Sequence, residues 1–189
     1  MAHGSGTSIT GSVLESPINN EFESVDFSSV GPNDNNIIEY GPAWSPVGFY
    51  NSSTQDLVVN NGRNITLTSG VYHFRDMHLA GGSQMRIEGK VEIYVEREMR
   101  FDNGTVANIS QTPDQFMIRV GEGPVNIQGG QHMHAVIYAP DASVTLANGS
   151  GFSGSIIGRT LSFDGGGGLH YDETLSENAQ QTGAPQLVY

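Results

Sequence analysis

Two histidines, His132 and His134, flank Met133, and alternate residues of an extended strand project to the same side. Imidazoles at that spacing are capable of holding a divalent cation, and Asp76 or Glu122 is a candidate third ligand from a neighbouring segment. Zinc sites need at least three protein ligands in a defined geometry. The spacing here supplies two, so the plainer reading is a pair of surface histidines, with no metal and no cofactor required. Carboxylates are the second resource. Asp141, Asp164, Asp172 and Glu173 are candidates for the paired acids of glycoside cleavage, which must face each other across one bond. The basic residues, from Arg63 to Arg159, are scattered along the chain and do not gather near those acids, which favours solvated surface. Ser155 sits in Gly154-Ser155-Ile156-Ile157-Gly158, which is not a Gly-x-Ser-x-Gly nucleophile elbow. The run Gly165-Gly166-Gly167-Gly168 lacks the Lys-Ser/Thr of a phosphate loop. No catalytic residue is assigned. Trp44, Phe49 and Tyr50 are the aromatic candidates for ligand contact, because aromatic anchors dominate binding surfaces.

The elements that would carry these residues are legible from a repeat. Six times the chain reads apolar-x-apolar-x-(Gly/Asn)-Gly, from Leu57-Val58-Val59-Asn60-Asn61-Gly62 to Leu161-Ser162-Phe163-Asp164-Gly165-Gly166. The second apolar residues are Val59, Leu79, Phe101, Ile127, Leu146 and Phe163, spaced 20, 22, 26, 19 and 17 residues apart. A recurrence of that length marks stacked units, none of which buries its apolar face alone. Period-two alternation over 57–172 predicts short strands, with Gly or Asn at corners that need positive φ. A hairpin sandwich is the rival arrangement, but it requires no motif repeated in phase. One flat Thr-x-Thr step, Thr66-Leu67-Thr68, is not repeated, so an ice-binding array is not expected.

Composition narrows the function. The net charge of −12 disfavours nucleic acid and anionic lipid. Cysteine is absent, which excludes disulfides and thiolate chemistry. No apolar run reaches the roughly 20 residues of a membrane span. Residues 1–8 read as an added leader, and 9–56, with Pro17, Pro32, Pro42 and Pro46, as an irregular cap. Phe22, Val25 and Phe27 have the spacing of one helical face, which predicts a short helix in that cap. The solenoid is expected over 57–175 and a short cap or tail over 176–189, with Thr174-Leu175-Ser176-Glu177 fitting a capping box.

The stretch from Ala135-Val136-Ile137-Tyr138-Ala139-Pro140-Asp141-Ala142 through Gly154-Ser155-Ile156-Ile157-Gly158 to Leu169-His170-Tyr171-Asp172-Glu173 resembles the C-terminal module of PilX-type pilus-assembly proteins and related bacterial surface proteins. Gly70-Val71-Tyr72-His73-Phe74 is similar to the opening of such modules. The resemblance implies no catalytic residue and structural roles for Tyr138, Ala139, Pro140, Gly154, Gly158, His170, Tyr171 and Asp172. The expected fold is all-β: a single-domain, right-handed parallel β-helix (β-solenoid) of about six coils. The expected function is a non-enzymatic extracellular structural or adhesive module of a bacterial surface, with pilin subunits or surface glycan as partners and self-association open. The alternative is a polysaccharide-binding or polysaccharide-cleaving β-helix. The longest interval, between Phe101 and Ile127, is the first place to look for a site.

Overall fold

The computed structural model describes residues 22–40, 49–103, 105–130 and 132–172. They form a β-solenoid of six coils stacked in parallel. The first coil is β3 (Asp56–Val59) and β4 (Asn64–Phe74), preceded by β1 (Glu39–Tyr40) and β2 (Tyr50–Asn51). The second is β5 (Met77–Ala80) and β6 (Gln84–Val95). The third is β7 (Met99–Asp102), β8 (Thr105–Asn108) and β9 (Phe116–Val120). β10 (Val125–Gln128) opens the fourth, and β11 (His132–Ala147) completes it before bending into the fifth. β12 (Gly151–Phe163) likewise runs from the fifth coil into the sixth, which ends with β13 (Gly168–Tyr171).

Three parallel sheets result. The first stacks β3, β5, β7, β10 and the ends of β11 and β12. The second stacks the opening halves of β4, β6, β11 and β12 with β8 and β13, and the third stacks the remaining segments with β9. The repeat motif is the first sheet: Val59 pairs with Leu79, Leu79 with Phe101, Phe101 with Ile127, Ile127 with Leu146 and Leu146 with Phe163. The first five of these side chains are sealed in the core, with Phe163 packed against it at the last coil. A one-residue slip would turn each strand's apolar set outward, so the alternation pins the register.

Five corners after the motif take two consecutive left-handed residues among the described residues. Asn61 (φ 56°) and Gly62 (71°) form one, and Asn148 (55°) and Gly149 (75°) another. Only Gly and, less readily, Asn adopt that conformation at small cost. Ser83 and Ser150 follow two such corners, and their buried hydroxyls donate to the carbonyls of Val59 (3.0 Å) and Ile127 (3.2 Å) on the coil below. The long third coil has its own anchor. Asn108 points inward and donates to the carbonyls of Thr112 (3.0 Å) and His134 (3.1 Å), which satisfies its buried amide and ties down the excursion over 109–115.

The N-terminal segment closes the open edge of the first coil. β1 pairs antiparallel with β4 and β2 antiparallel with β3, covering the second and first sheets. On the third sheet, side chains substitute for a strand. Asp34 accepts from the Val71 N–H (2.8 Å) and Asn35 from the His73 N–H (2.9 Å), while Asn35 donates to the His73 carbonyl. Unpaired edges template aggregation, and all three are thereby blocked. The expected helix at Phe22, Val25 and Phe27 is not formed. Residues 22–26 run without helical structure as a strap over the third sheet, where aromatic outward residues offer Phe27 a better surface than a helix of its own would. Among the described residues no helix is long and apolar enough to cross a membrane.

Candidate functional site

At the corner between the third and first sheets, arginines pair with carboxylates of the preceding coil. Asp56 takes a bidentate pair from Arg75 (3.0 and 2.8 Å), and Asp76 takes another from Arg97 (3.2 and 2.7 Å). Burial works to raise the Asp76 pKa. The Arg97 hydrogen bond, the Glu98 N–H and the charges of Arg97 and Arg75 outweigh it and hold the carboxyl below the usual carboxylate range. On the third sheet's outer face, His73, Tyr94, Arg119 and Tyr138 lie in register. Arg119 sits 5.9 Å from the Tyr94 ring and 5.7 Å from the Tyr138 ring and pairs with Glu92 at 2.6 Å. The strap lies over this ladder. Phe27 stacks on His73 at 5.8 Å, and the Tyr138 hydroxyl donates to the Glu23 carbonyl.

A groove of about 800 Å³ opens where the strap meets the corner. Ser24, Val25 and Phe27 form one wall. The other wall carries Glu96 and Arg97 from the turn after β6, Glu122 from the turn after β9, Asp141 at the bend of β11 and Arg159 in β12. Gly121 and Gly123 also line it, and both are needed where this coil packs against the one before. A side chain at Gly121 would strike the Glu96 carbonyl and the Phe27 ring, and one at Gly123 would strike the Arg97 backbone. Arg97 is committed to Asp76, and Glu96 lies 3.0 Å from His73 Nε2, off the line of a hydrogen bond. Among the described residues, Glu122, Asp141 and Arg159 have no hydrogen bond or ion pair from their side chains, although opposite charges share the groove.

The structure disperses most of the residues singled out by the sequence. His132 and His134 share the outer face of the second sheet, with ring centroids 4.9 Å apart, and His132 Nε2 lies 2.8 Å from Ser153 Oγ. Burial, then the neighbouring His132, lowers the His134 pKa, and Asp172 opposes them. Neither proposed third ligand reaches them, because Asp76 is held in the arginine ladder and Glu122 is in the groove. Among the described residues no three His, Cys, Asp or Glu side chains are grouped to hold a metal. Asp141 lines the groove, whereas Asp164 occupies the last corner of the first sheet and Asp172 lies near His134. Glu173 and Trp44 lie outside the described residues. Phe49 corrects an expectation of ligand contact: it is 4% exposed, belongs to the core and has the Arg63 guanidinium 5.1 Å from its ring. Tyr50 is half-buried edge-on against Phe74 at 5.8 Å, at the closed end of the solenoid and not in the groove.

Arg159 is not legible from the sequence as a site residue. The one local signal is Gly121-Glu122-Gly123-Pro124, which breaks the strand pattern inside the longest interval between motifs. No curated protein and no solved structure matches the chain. Residues 76–178, from just before β5 past the last described coil, match a domain family of unknown function, DUF7305. That match spans more than half of the 189 residues, and the chain therefore belongs to this family.

Proposed function

We propose that the chain is a non-enzymatic structural or adhesive module of a bacterial surface, associated with pili. The observation that supports this reading is the use made of charge. Arg75, Arg97 and Arg119 pair with carboxylates on neighbouring coils, so these groups stiffen the stack and do not converge on a reacting atom. The PilX-type resemblance supports the association with pili. Its residues fall where the coils need them: Pro140 at the bend of β11, Gly154 against the Ala135 carbonyl, and Gly158 against Val144. Retention of purified pilin by the immobilised full chain tests the reading. Saturable retention is the expected result, and pilin in the flow-through at micromolar concentrations of both proteins would overturn the pilus association.

A second reading, polysaccharide cleavage, has one observation in its favour. The groove gathers Glu96, Glu122 and Asp141 with Arg97 and Arg159 beside an aromatic ring. Release of reducing ends from polysaccharides by the full chain, lost in Glu122→Gln or Asp141→Asn, is its test.

A further inference from the structure

The groove gathers charged side chains that bond to nothing else among the described residues. Five arginines of the solenoid are matched to carboxylates: Arg75 with Asp56, Arg86 with Glu88, Arg97 with Asp76, Arg100 with Asp102, and Arg119 with Glu92. Arg159 has no such partner among the described residues, and it lies in a concavity that also holds Glu122 and Asp141. Three charged side chains of both signs, facing one groove and not bonded to one another, present donors and acceptors to whatever enters it. We propose that this groove binds a neutral oligosaccharide. Glu122 and Asp141 accept hydrogen bonds from its hydroxyls, Arg159 donates to its oxygens, and Val25 and Phe27 cover its apolar faces. This deepens the adhesive reading by naming what is adhered to, and it rests on that reading.

Charge selects the ligand class. Three carboxylates line the groove and the chain carries −12 overall, so a polyanionic glycan is repelled. A polycation would match the carboxylates but leave Arg159 facing like charge. A polyol satisfies both signs, because each hydroxyl donates to a carboxylate and accepts from a guanidinium. Shape agrees. The solenoid wall of the groove draws on the second to the fifth coil, and three inter-coil steps of ~4.8 Å give a length of about 14 Å. That is the extent of a short oligosaccharide, and the volume falls within the range of small-ligand sites.

Calorimetric titration of the full chain with maltohexaose, cellohexaose and chitohexaose, each to millimolar concentration, tests the proposal. One of the three is expected to bind. Arg159→Ala and Asp141→Asn are each expected to weaken that binding at least about tenfold. Melting temperature and pilin retention should stay unchanged, since neither side chain bonds to another of the described residues. His132→Ala, on another face, should leave binding intact. Failure of all three sugars to bind, or binding indifferent to both groove variants, would overturn the glycan site. So would binding of hexalysine in place of the sugars. In each of these cases retained pilin would leave the structural reading standing. Loss of pilin retention with sugar binding intact would remove the pilus association and keep the site.

Discussion

Gly129 lies directly against Asn103 on the coil before it: a methyl group on Gly129 would stand 2.7 Å from Asn103 Cα and 2.8 Å from its amide nitrogen. The same relation holds at Gly81 against Asn61 (3.1 Å) and at Gly165 against Asn148 (3.2 Å). Along this edge the first corner residue alternates Asn, Gly, Asn, Gly, Asn, Gly, so each glycine accommodates an asparagine backbone from the preceding coil. The second corner residues face open space at Gly62, Gly82, Gly130 and Gly166. Gly129→Ala therefore combines strain at φ 101° with a backbone clash and should cost about 2–5 kcal/mol. Gly130→Ala carries conformational strain alone and should cost about 1–2 kcal/mol. Urea denaturation of the two variants gives the comparison.

The repeat column supplies a second contrast. Phe101 is fully buried between Leu79 and Ile127, and Phe101→Ala should lose about 3–5 kcal/mol. Arg100 beside it points outward and pairs with Asp102 at the half-exposed surface of the sheet. Arg100→Ala should cost less than about 1 kcal/mol in the same measurement.

Acid stability should fall in two steps. The His134 pKa is lowered by folding, so the unfolded chain takes the proton first as pH drops below 6.5, and stability declines until the folded imidazole protonates. The Asp76 pKa is also lowered. Its stabilisation is complete above 3.8, and it is lost as pH falls from there through the folded value. In melting temperature measured against pH, His134→Gln should flatten the upper step and Asp76→Asn the lower one. Persistence of both steps in the double variant would contradict these assignments.

The side-chain edge cap is open to hydrogen exchange. Asn35→Ala removes the acceptor of the His73 N–H, and Asp34→Ala removes that of the Val71 N–H. Each change should speed exchange at its own amide by roughly tenfold, from the loss of about 1–1.5 kcal/mol, while amides of β10 stay protected.

How far the sequence reveals this molecule depends on where its regularity lies. The first sheet is legible because its corners need two left-handed residues in a row, and that demand writes Asn-Gly or Gly-Gly into the chain at every coil. The third coil is harder to read, since β8 and β9 are separated by an excursion whose anchor, Asn108, looks like any polar residue until its inward position is known. The strap misleads for a related reason. Phe22 is 47% exposed and Phe27 stacks on His73, so their spacing reflects a surface some 46 residues further along the chain and not a helical face. The groove is least legible. Its solenoid wall takes one or two residues from each of several coils, and only the stacking brings Glu96 and Arg159 to the same concavity. That His132 and His134 share a face follows from their spacing, but which residue lies beside them depends on the same stacking.

That the groove crosses coils has an evolutionary consequence. Solenoids change length by whole repeats, because each unit contacts only its neighbours and carries its own register. Gain or loss of one coil between Glu96 and Arg159 would preserve the packing of every remaining unit. It would also lengthen or shorten the groove by one rise of ~4.8 Å. Ligand length in this architecture is thus a counted quantity, adjustable in integer steps by duplication, without redesign of any single contact.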